Sequence, residues 1–286
     1  MPCYETTIAD PAVLKQRPIY GPFKRAKRRT LRAFGRWSRA DYDVRFVFEG
    51  ERIAYKKILF NHAATAARVM RNLERFGPSE HLPKCHRADG RALWMDYIEG
   101  RPFDRLVSPC SQEVARCFTE FAARHSYRRP IGQTGLWGAH RGNLTRLVES
   151  GLLGDDLHDA ILARSTACRP ATLRIGFDYR DPIAPNLVAR ADTGRICAID
   201  VKNWHADTLV GQGLAKTTDR WLDAPGCARV LDIMSDHGLN DVAEGFEFIR
   251  LYERIDRLRR CTDTELKTHG RIRKRRAKRA RLAALA

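Results

Sequence analysis

The sequence predicts an α+β protein of two lobes, a small β-rich one followed by a larger, mostly helical one. Three observations carry this. Residues 43–60 alternate apolar and polar side chains about a short turn, as a half-buried hairpin does, and residues 83–100 read as a second hairpin. Beyond residue 103 the apolar positions recur at helical spacing instead. A chain of 286 residues with 43% hydrophobic content can also bury a sizeable core. The expected divisions are a basic extension over 1–30, an N-terminal lobe over 31–100, a helical lobe over 101–262 and a basic tail over 263–286.

The elements follow in order. "DVRFVFEGERIAYKKILF" (43–60) is a hairpin turning near Gly50. "NHAATAARVMRNLERF" (61–76) has helical period, with Asn61 as the N-cap and Val69, Leu73 and Phe76 toward the core. Pro78 and Pro83 end it. "PKCHRADGRALWMDYIEG" (83–100) is a second hairpin turning at Asp89-Gly90, whose last strand leaves through Gly100 and Pro102. Helices are expected over 111–125 and 155–165, joined through a glycine-rich connector at 132–143. Two short strands then bracket a turn at "DTG" (192–194). Two more helices are expected near 208–222 and 241–260.

Charge is unevenly spread. Residues 15–36 and 267–286 each hold nine Lys/Arg and no acid, and together they account for the whole net charge of +18. Such segments attract polyanions, an anionic membrane surface or nucleic acid among them. A solvated tail that aids solubility is the plainer explanation. There is no run of eighteen apolar residues and no apolar leader at the start, so neither a membrane span nor a signal peptide is expected. The eight cysteines are scattered without a CxxC pair, which favours reduced thiols in the cytoplasm over disulfides or zinc.

Five stretches carry candidate chemistry. "IAYK" puts Lys56 on the second strand of the first hairpin, and Glu74 lies eighteen residues on, in the helix. "LWMDYIEG" (93–100) ends a strand at Asp96, and its backbone at Asp96 and Ile98 could pair with an adenine edge. "YRDPIAPN" (179–186) sets Asp181 and Asn186 five apart. "CAIDVKNW" (197–204) ends an apolar run on Asp200; a carboxylate leaving a buried strand needs a partner or a metal, because burying it bare is costly. Phosphoryl transfer from ATP uses these parts: a Lys on the phosphates, a Glu that fixes the Lys, oxygens for Mg²⁺, and an Asp for the attacking hydroxyl.

On those residues, over roughly 30–205, the chain resembles the protein-kinase-like superfamily. The resemblance implies a two-lobed kinase-like fold with ATP and Mg²⁺ as cofactors. It makes Lys56 and Asp181 catalytic, with Glu74, Asp96, Ile98 and Gly35 at the nucleotide, and Asn186 and Asp200 on the metal. The 85 residues from Asp96 to Asp181 and the lack of an A-P-E segment are similar to the aminoglycoside-phosphotransferase-like and choline-kinase-like branch. Lipopolysaccharide-core kinases are also similar. That branch implies transfer of the γ-phosphoryl group to a hydroxyl of a small molecule or sugar, in the cytoplasm or at the inner face of the membrane.

Departures keep alternatives open. No G-x-G-x-x-G precedes Lys56, and only Gly35 could serve a phosphate-covering loop. Ile183 stands where protein kinases usually carry Lys, and Val201-Lys202 replace Phe-Gly. A protein Ser/Thr kinase and a pseudokinase adaptor are therefore alternatives. A third is a metal-dependent nuclease, since residues 185–202 resemble the PD…(D/E)xK pattern with Asp200 and Lys202 as D-x-K, although Asn186 cannot supply the first charge. Lys202→Ala separates them. It should leave phosphotransfer near the wild-type rate and abolish metal-dependent DNA cleavage, measured side by side on one preparation.

Overall fold

The computed structural model describes residues 14–18, 42–103, 111–266 and 282–285. Gly35 and most of both basic segments lie outside the described residues. The described chain divides into two compact units: 1–108 with 184–204, and 109–183 with 205–286.

The first unit is built on a five-stranded sheet of order β1-β2-β3-β5-β4. The hairpin β2 (Tyr42–Glu49) and β3 (Arg52–Phe60) turns at Gly50, whose φ of 61° favours glycine. β4 (Cys85–Asp89) and β5 (Ala92–Asp96) form the second hairpin, and β5 lies antiparallel to β3. β1 (Lys15–Pro18) lengthens the sheet at one edge, so the first residues of the basic N-terminal stretch are a strand. Pro18 is tolerated there because an edge strand need not donate outward.

Helix α1 (Ala63–Phe76) buries Ala66, Val69, Leu73 and Phe76. Its N-cap is His62 rather than Asn61, and no side chain caps it. A small sheet of order β10-β9-β6 completes the unit, with β6 (Gly100–Pro102), β9 (Leu187–Arg190) and β10 (Ile196–Ala198). Gly100 is required: a Cβ there would lie 2.0 Å from the Ala189 carbonyl oxygen. This pairing carries residues 184–204 into the first unit, although their place in the sequence puts them with the helices.

The second unit holds α2 (Ser111–Ala123), β7 (Tyr127–Pro130), α3 (Leu136–Glu149), α4 (Asp155–Ala167), β8 (Thr172–Tyr179), β11 (Trp204–Leu209, whose first residue still belongs to the first unit), α5 (Gln212–Thr218), α6 (Ala224–Asp236), α7 (Asn240–Glu244) and α8 (Phe246–Leu266). The glycine-rich connector is largely helical. Thr134 Oγ1 accepts the Leu136 amide at 3.2 Å, and α3 then runs through Gly138 and Gly142 because Leu144 and Leu147 bury further on. Tertiary burial outweighs the helix cost of the two glycines, ~1 kcal/mol each.

The helix expected near 208–222 is instead the end of β11 and the short α5, followed by α6. Asp223 starts α6 by accepting the Gly226 amide at 2.9 Å, with Pro225 in the first turn. Leu282 and Leu285 pack with Leu144, Ile161, Leu251 and Ile255, so the last described residues belong to this core and not to a free tail. Among the described residues no helix is long and apolar enough to cross a membrane. Cys85 and Cys197 are buried, and burial pushes both thiols up to about 12, which makes them inert.

His140, on α3, is fully buried between the rings of Trp137 and Tyr252. Ser165 Oγ donates to the Ile161 carbonyl, so His140 Nε2 donates to Ser165 Oγ at 2.9 Å. Burial pulls the His140 pKa down to about 4. A histidine whose folded pKa lies below its unfolded value binds protons more readily when unfolded. Its contribution is therefore complete above pH ~6.5 and lost as pH falls through 4, at roughly 3 kcal/mol or less. Urea unfolding of His140→Phe at pH 7 and pH 4.5 should show a smaller loss on acidification than the wild type shows.

Candidate active site

Strand alternation separates the two lysines of β3. Lys57 turns to the Trp94 ring, 4.4 Å from its centroid. Lys56 turns the other way, and its Nζ donates to the Ile199 carbonyl at 2.8 Å. Burial pulls the Lys56 pKa down, and the Asp200 carboxylate is the largest influence holding it up. The ammonium thus sits on the residue just before Asp200.

Asp200 opens the short 3₁₀ turn Val201–Asn203. Its Oδ2 accepts Asn203 Nδ2 at 3.0 Å and lies 3.5 Å from Lys202 Nζ. The Lys202 ammonium also stands 3.8 Å from the centroid of the Tyr42 ring. Burial alone would lower the Lys202 pKa, but the Asp200 carboxylate and the Tyr42 hydroxyl outweigh it and raise the value. Asn186 is brought alongside by backbone pairing, the Ile199 amide donating to its carbonyl at 2.9 Å. Lys56, Asn186 and Asp200, 130 and 14 residues apart in order, are therefore neighbours in the first unit.

Helix α1 fixes this loop from its own side. Arg68 Nη2 donates to the Lys202 carbonyl at 3.2 Å and Asn72 Nδ2 to the Trp204 carbonyl at 3.0 Å. Phe76 packs edge-on to Trp204 with centroids 4.9 Å apart. Glu74, the residue of α1 expected to fix Lys56, is exposed, and the carboxylate acting most strongly on Lys56 is Asp200. Arg68 and Asn72 had no signal in the sequence, because their partners are backbone carbonyls more than 130 residues away.

Asp96 ends β5. Its amide donates to the Lys84 carbonyl at 2.9 Å, and its carboxylate accepts the Lys84 amide at 3.0 Å and contacts His86 Nε2 at 2.5 Å. Residues 97–99 belong to no strand, so Ile98 lies where the main chain leaves the ladder. Tyr97 is held edge-on to Phe46 at 5.3 Å.

The donor set suits Mg²⁺ better than a dedicated metal cage. Among the described residues no three His, Cys, Asp or Glu side chains gather as a metal site. One carboxylate and one amide oxygen would hold Mg²⁺ only with phosphate oxygens and water completing the shell, as is usual for nucleotide-borne magnesium.

Asp181 belongs to the second unit. Lys216 Nζ lies 2.6 Å from its Oδ1 and 3.0 Å from the Arg180 carbonyl. Three residues earlier, the buried Asp178 accepts the amides of Gly211 at 3.0 Å and Gly213 at 2.9 Å. Burial raises the Asp178 pKa to about 7, against the pull of Arg180 and the two amides. Lys216 lies 35 residues after Asp181, beyond any motif spacing that could have flagged it.

No family model matches the sequence, and no curated protein is significantly similar to it. Solved structures are similar in fold. An ADP-bound aminoglycoside phosphotransferase, APH(2'')-Ib, has a TM-score of 0.56 at 13% identity over 95% of this chain and 92% of its own. Macrolide 2'-phosphotransferase MphH from Brachybacterium faecium has a TM-score of 0.57 at 14% identity, covering 87% and 89%. Plasmodium vivax ethanolamine kinase has a TM-score of 0.59 at 10% identity, covering 95% and 82%. The chain has the two-lobed protein-kinase-like fold that these structures share. The hairpin at 185–202 that suggested a nuclease pairs Leu187–Ala189 of β9 antiparallel with Ile196–Ala198 of β10.

A Cβ on Gly213 would lie 2.2 Å from the Tyr179 carbonyl oxygen. Gly213→Ala should therefore force α5 off the end of β8 and cost at least ~2 kcal/mol, read as a fall in the urea midpoint at unchanged slope.

Proposed function

We propose that this chain is an ATP- and Mg²⁺-dependent phosphotransferase that moves the γ-phosphoryl group to a hydroxyl of a small molecule. One observation carries the reading most: a buried ammonium, Lys56, is docked on the carbonyl that immediately precedes Asp200. A lysine placed beside the metal carboxylate can serve the nucleotide's phosphates while Asp200 serves their cation. The fold shared with phosphotransferases and kinases of aminoglycosides, macrolides and ethanolamine supports it.

In this reading Lys56 holds the α- and β-phosphates, and Asn186 and Asp200 supply the oxygens for Mg²⁺. The metal, when bound, neutralises charge on the transferring group. Asp181 orients the acceptor hydroxyl and takes its proton. The main chain around Asp96 and Ile98 receives the adenine. The acceptor class includes sugars, a lipopolysaccharide-core sugar among them. The basic segments 15–36 and 267–286 would bring such an acceptor's anionic surroundings near. The reaction belongs where ATP is abundant, in the cytoplasm.

A second reading, nucleotide binding without turnover, is favoured by one observation. Lys202 and Asn203 both draw on Oδ2 of Asp200, an oxygen a metal would need.

Calorimetry of Mg·ATP binding to the wild type and to Asp200→Ala tests the proposal. The wild type should bind, and the variant should bind at least about tenfold more weakly, ~1.4 kcal/mol, with its melting temperature preserved. Absence of Mg·ATP binding by the wild type overturns the reading.

A further inference from the structure

The segment 178–183 is held from one side by a single stretch, residues 211–221. Asp178 takes the amides of Gly211 and Gly213 at 3.0 and 2.9 Å. Gly213 lies directly on the Tyr179 carbonyl, with no room for a Cβ. Trp221 Nε1 donates to the Pro182 carbonyl at 2.9 Å. Between these anchors Lys216 reaches Asp181 Oδ1 at 2.6 Å and the Arg180 carbonyl at 3.0 Å.

The charges around this point are otherwise engaged. Arg180 turns to Asp256 at 3.3 Å. Asp219, one turn beyond Lys216, is paired with Arg254 and Arg257 of α8. Arg220 and Glu253 act on Lys216 from a distance, with opposite signs. Residue 183, two after Asp181, is an isoleucine and brings no charge.

The lysine side chain is only 14% exposed. Keeping an ammonium there costs desolvation, and a hydrophobic residue of similar length would pack at lower cost. A lysine used merely as filler has no reason to put its charge on the carboxylate that follows β8. The geometry also fixes one carboxylate oxygen and the main chain beside it together, because one ammonium bonds both.

We infer that Lys216 is a positioning residue for phosphoryl transfer: it holds the Asp181 carboxylate, through Oδ1, in the rotamer that meets the acceptor hydroxyl. The inference rests on the phosphotransferase reading above. In the step itself the acceptor oxygen bonds the γ-phosphorus as the bond from that phosphorus to the β–γ bridging oxygen breaks. ADP leaves with the electron pair, and the acceptor's proton passes to the Asp181 carboxylate. Lys216 takes no proton. It keeps the accepting group in place before transfer.

The test uses the full chain with Mg·ATP and water as the acceptor, read as release of inorganic phosphate. Wild type, Lys216→Met, Lys216→Arg, Asp181→Asn and the Lys216→Met/Asp181→Asn double variant are compared. Lys216→Met should lower kcat at least about tenfold while KM for ATP stays within about twofold. Lys216→Arg should recover part of that loss, because a guanidinium can still bond both oxygens. The double variant should be no slower than Asp181→Asn alone, since both changes act through one carboxylate. A wild-type kcat in Lys216→Met overturns the inference. So does a loss shared by kcat, KM and melting temperature that arginine does not relieve, which is the mark of a purely structural lysine. If the wild type neither binds nor turns over Mg·ATP, or binds without turnover, the phosphotransferase reading has failed and the inference falls with it.

Discussion

An ammonium taken out of water must find oxygen, and in the first unit that requirement organises the rest. Lys56 stands on the central strand pair of its sheet and donates to the Ile199 carbonyl. The carbonyl can be there only because β6 pairs β9, and because Gly100 lets the two backbones meet at Ala189. Once Ile199 is in place, its amide is satisfied by Asn186 and its successor is Asp200. Helix α1 then closes on the turn after Asp200 through Arg68 and Asn72. Each step is the satisfaction of a polar group that burial would otherwise penalise by ~1–3 kcal/mol. The result gathers a cation, a carboxylate and an amide from three separate stretches of chain.

The second unit applies the same rule with the signs exchanged. Asp178 is a carboxylate in an apolar setting, and it is satisfied by two amides at the start of α5. Burial and hydrogen bonding oppose each other there; burial is the larger effect, since the pKa rises to about 7. Those two bonds, with the glycine contact at Tyr179, decide where α5 begins and therefore where its fifth residue, Lys216, points its charge. Two other carboxylates of this unit are met by arginines, Asp241 by Arg174 and Asp219 by Arg254.

Much of the fold was legible in the sequence, where one force acted alone. The hairpin at 42–60 shows period-two alternation, and glycine marks the turns of both first-unit hairpins, at Gly50 and Gly90. The β9–β10 hairpin follows its "DTG" turn in the same way. Misreadings fell where forces competed. Glycines at 138 and 142 argue for a connector, yet leucines one turn later bury and carry the helix through them. A basic tail argues for solvent, yet Leu282 and Leu285 find an apolar groove among α3, α4 and α8. Asn61 is a better cap than His62 by side chain, but the helix begins one residue later.

The sequence by itself determined the order of the parts: a lysine on a strand, an Asp…Asn pair five residues apart, and an aspartate ending an apolar run. Residue type and spacing suffice for this, because chemistry limits which side chains can hold phosphate, metal or proton. Only the tertiary structure decided who stands beside whom. It chose Lys56 over Lys57 for the Asp200 turn, gave α1's grip on that turn to Arg68 and Asn72 while leaving Glu74 exposed, and set Lys216 on Asp181. Those choices depend on sheet register and on backbone carbonyls distant in sequence. A carbonyl carries no residue identity, so such partners leave no pattern in the letters of the chain.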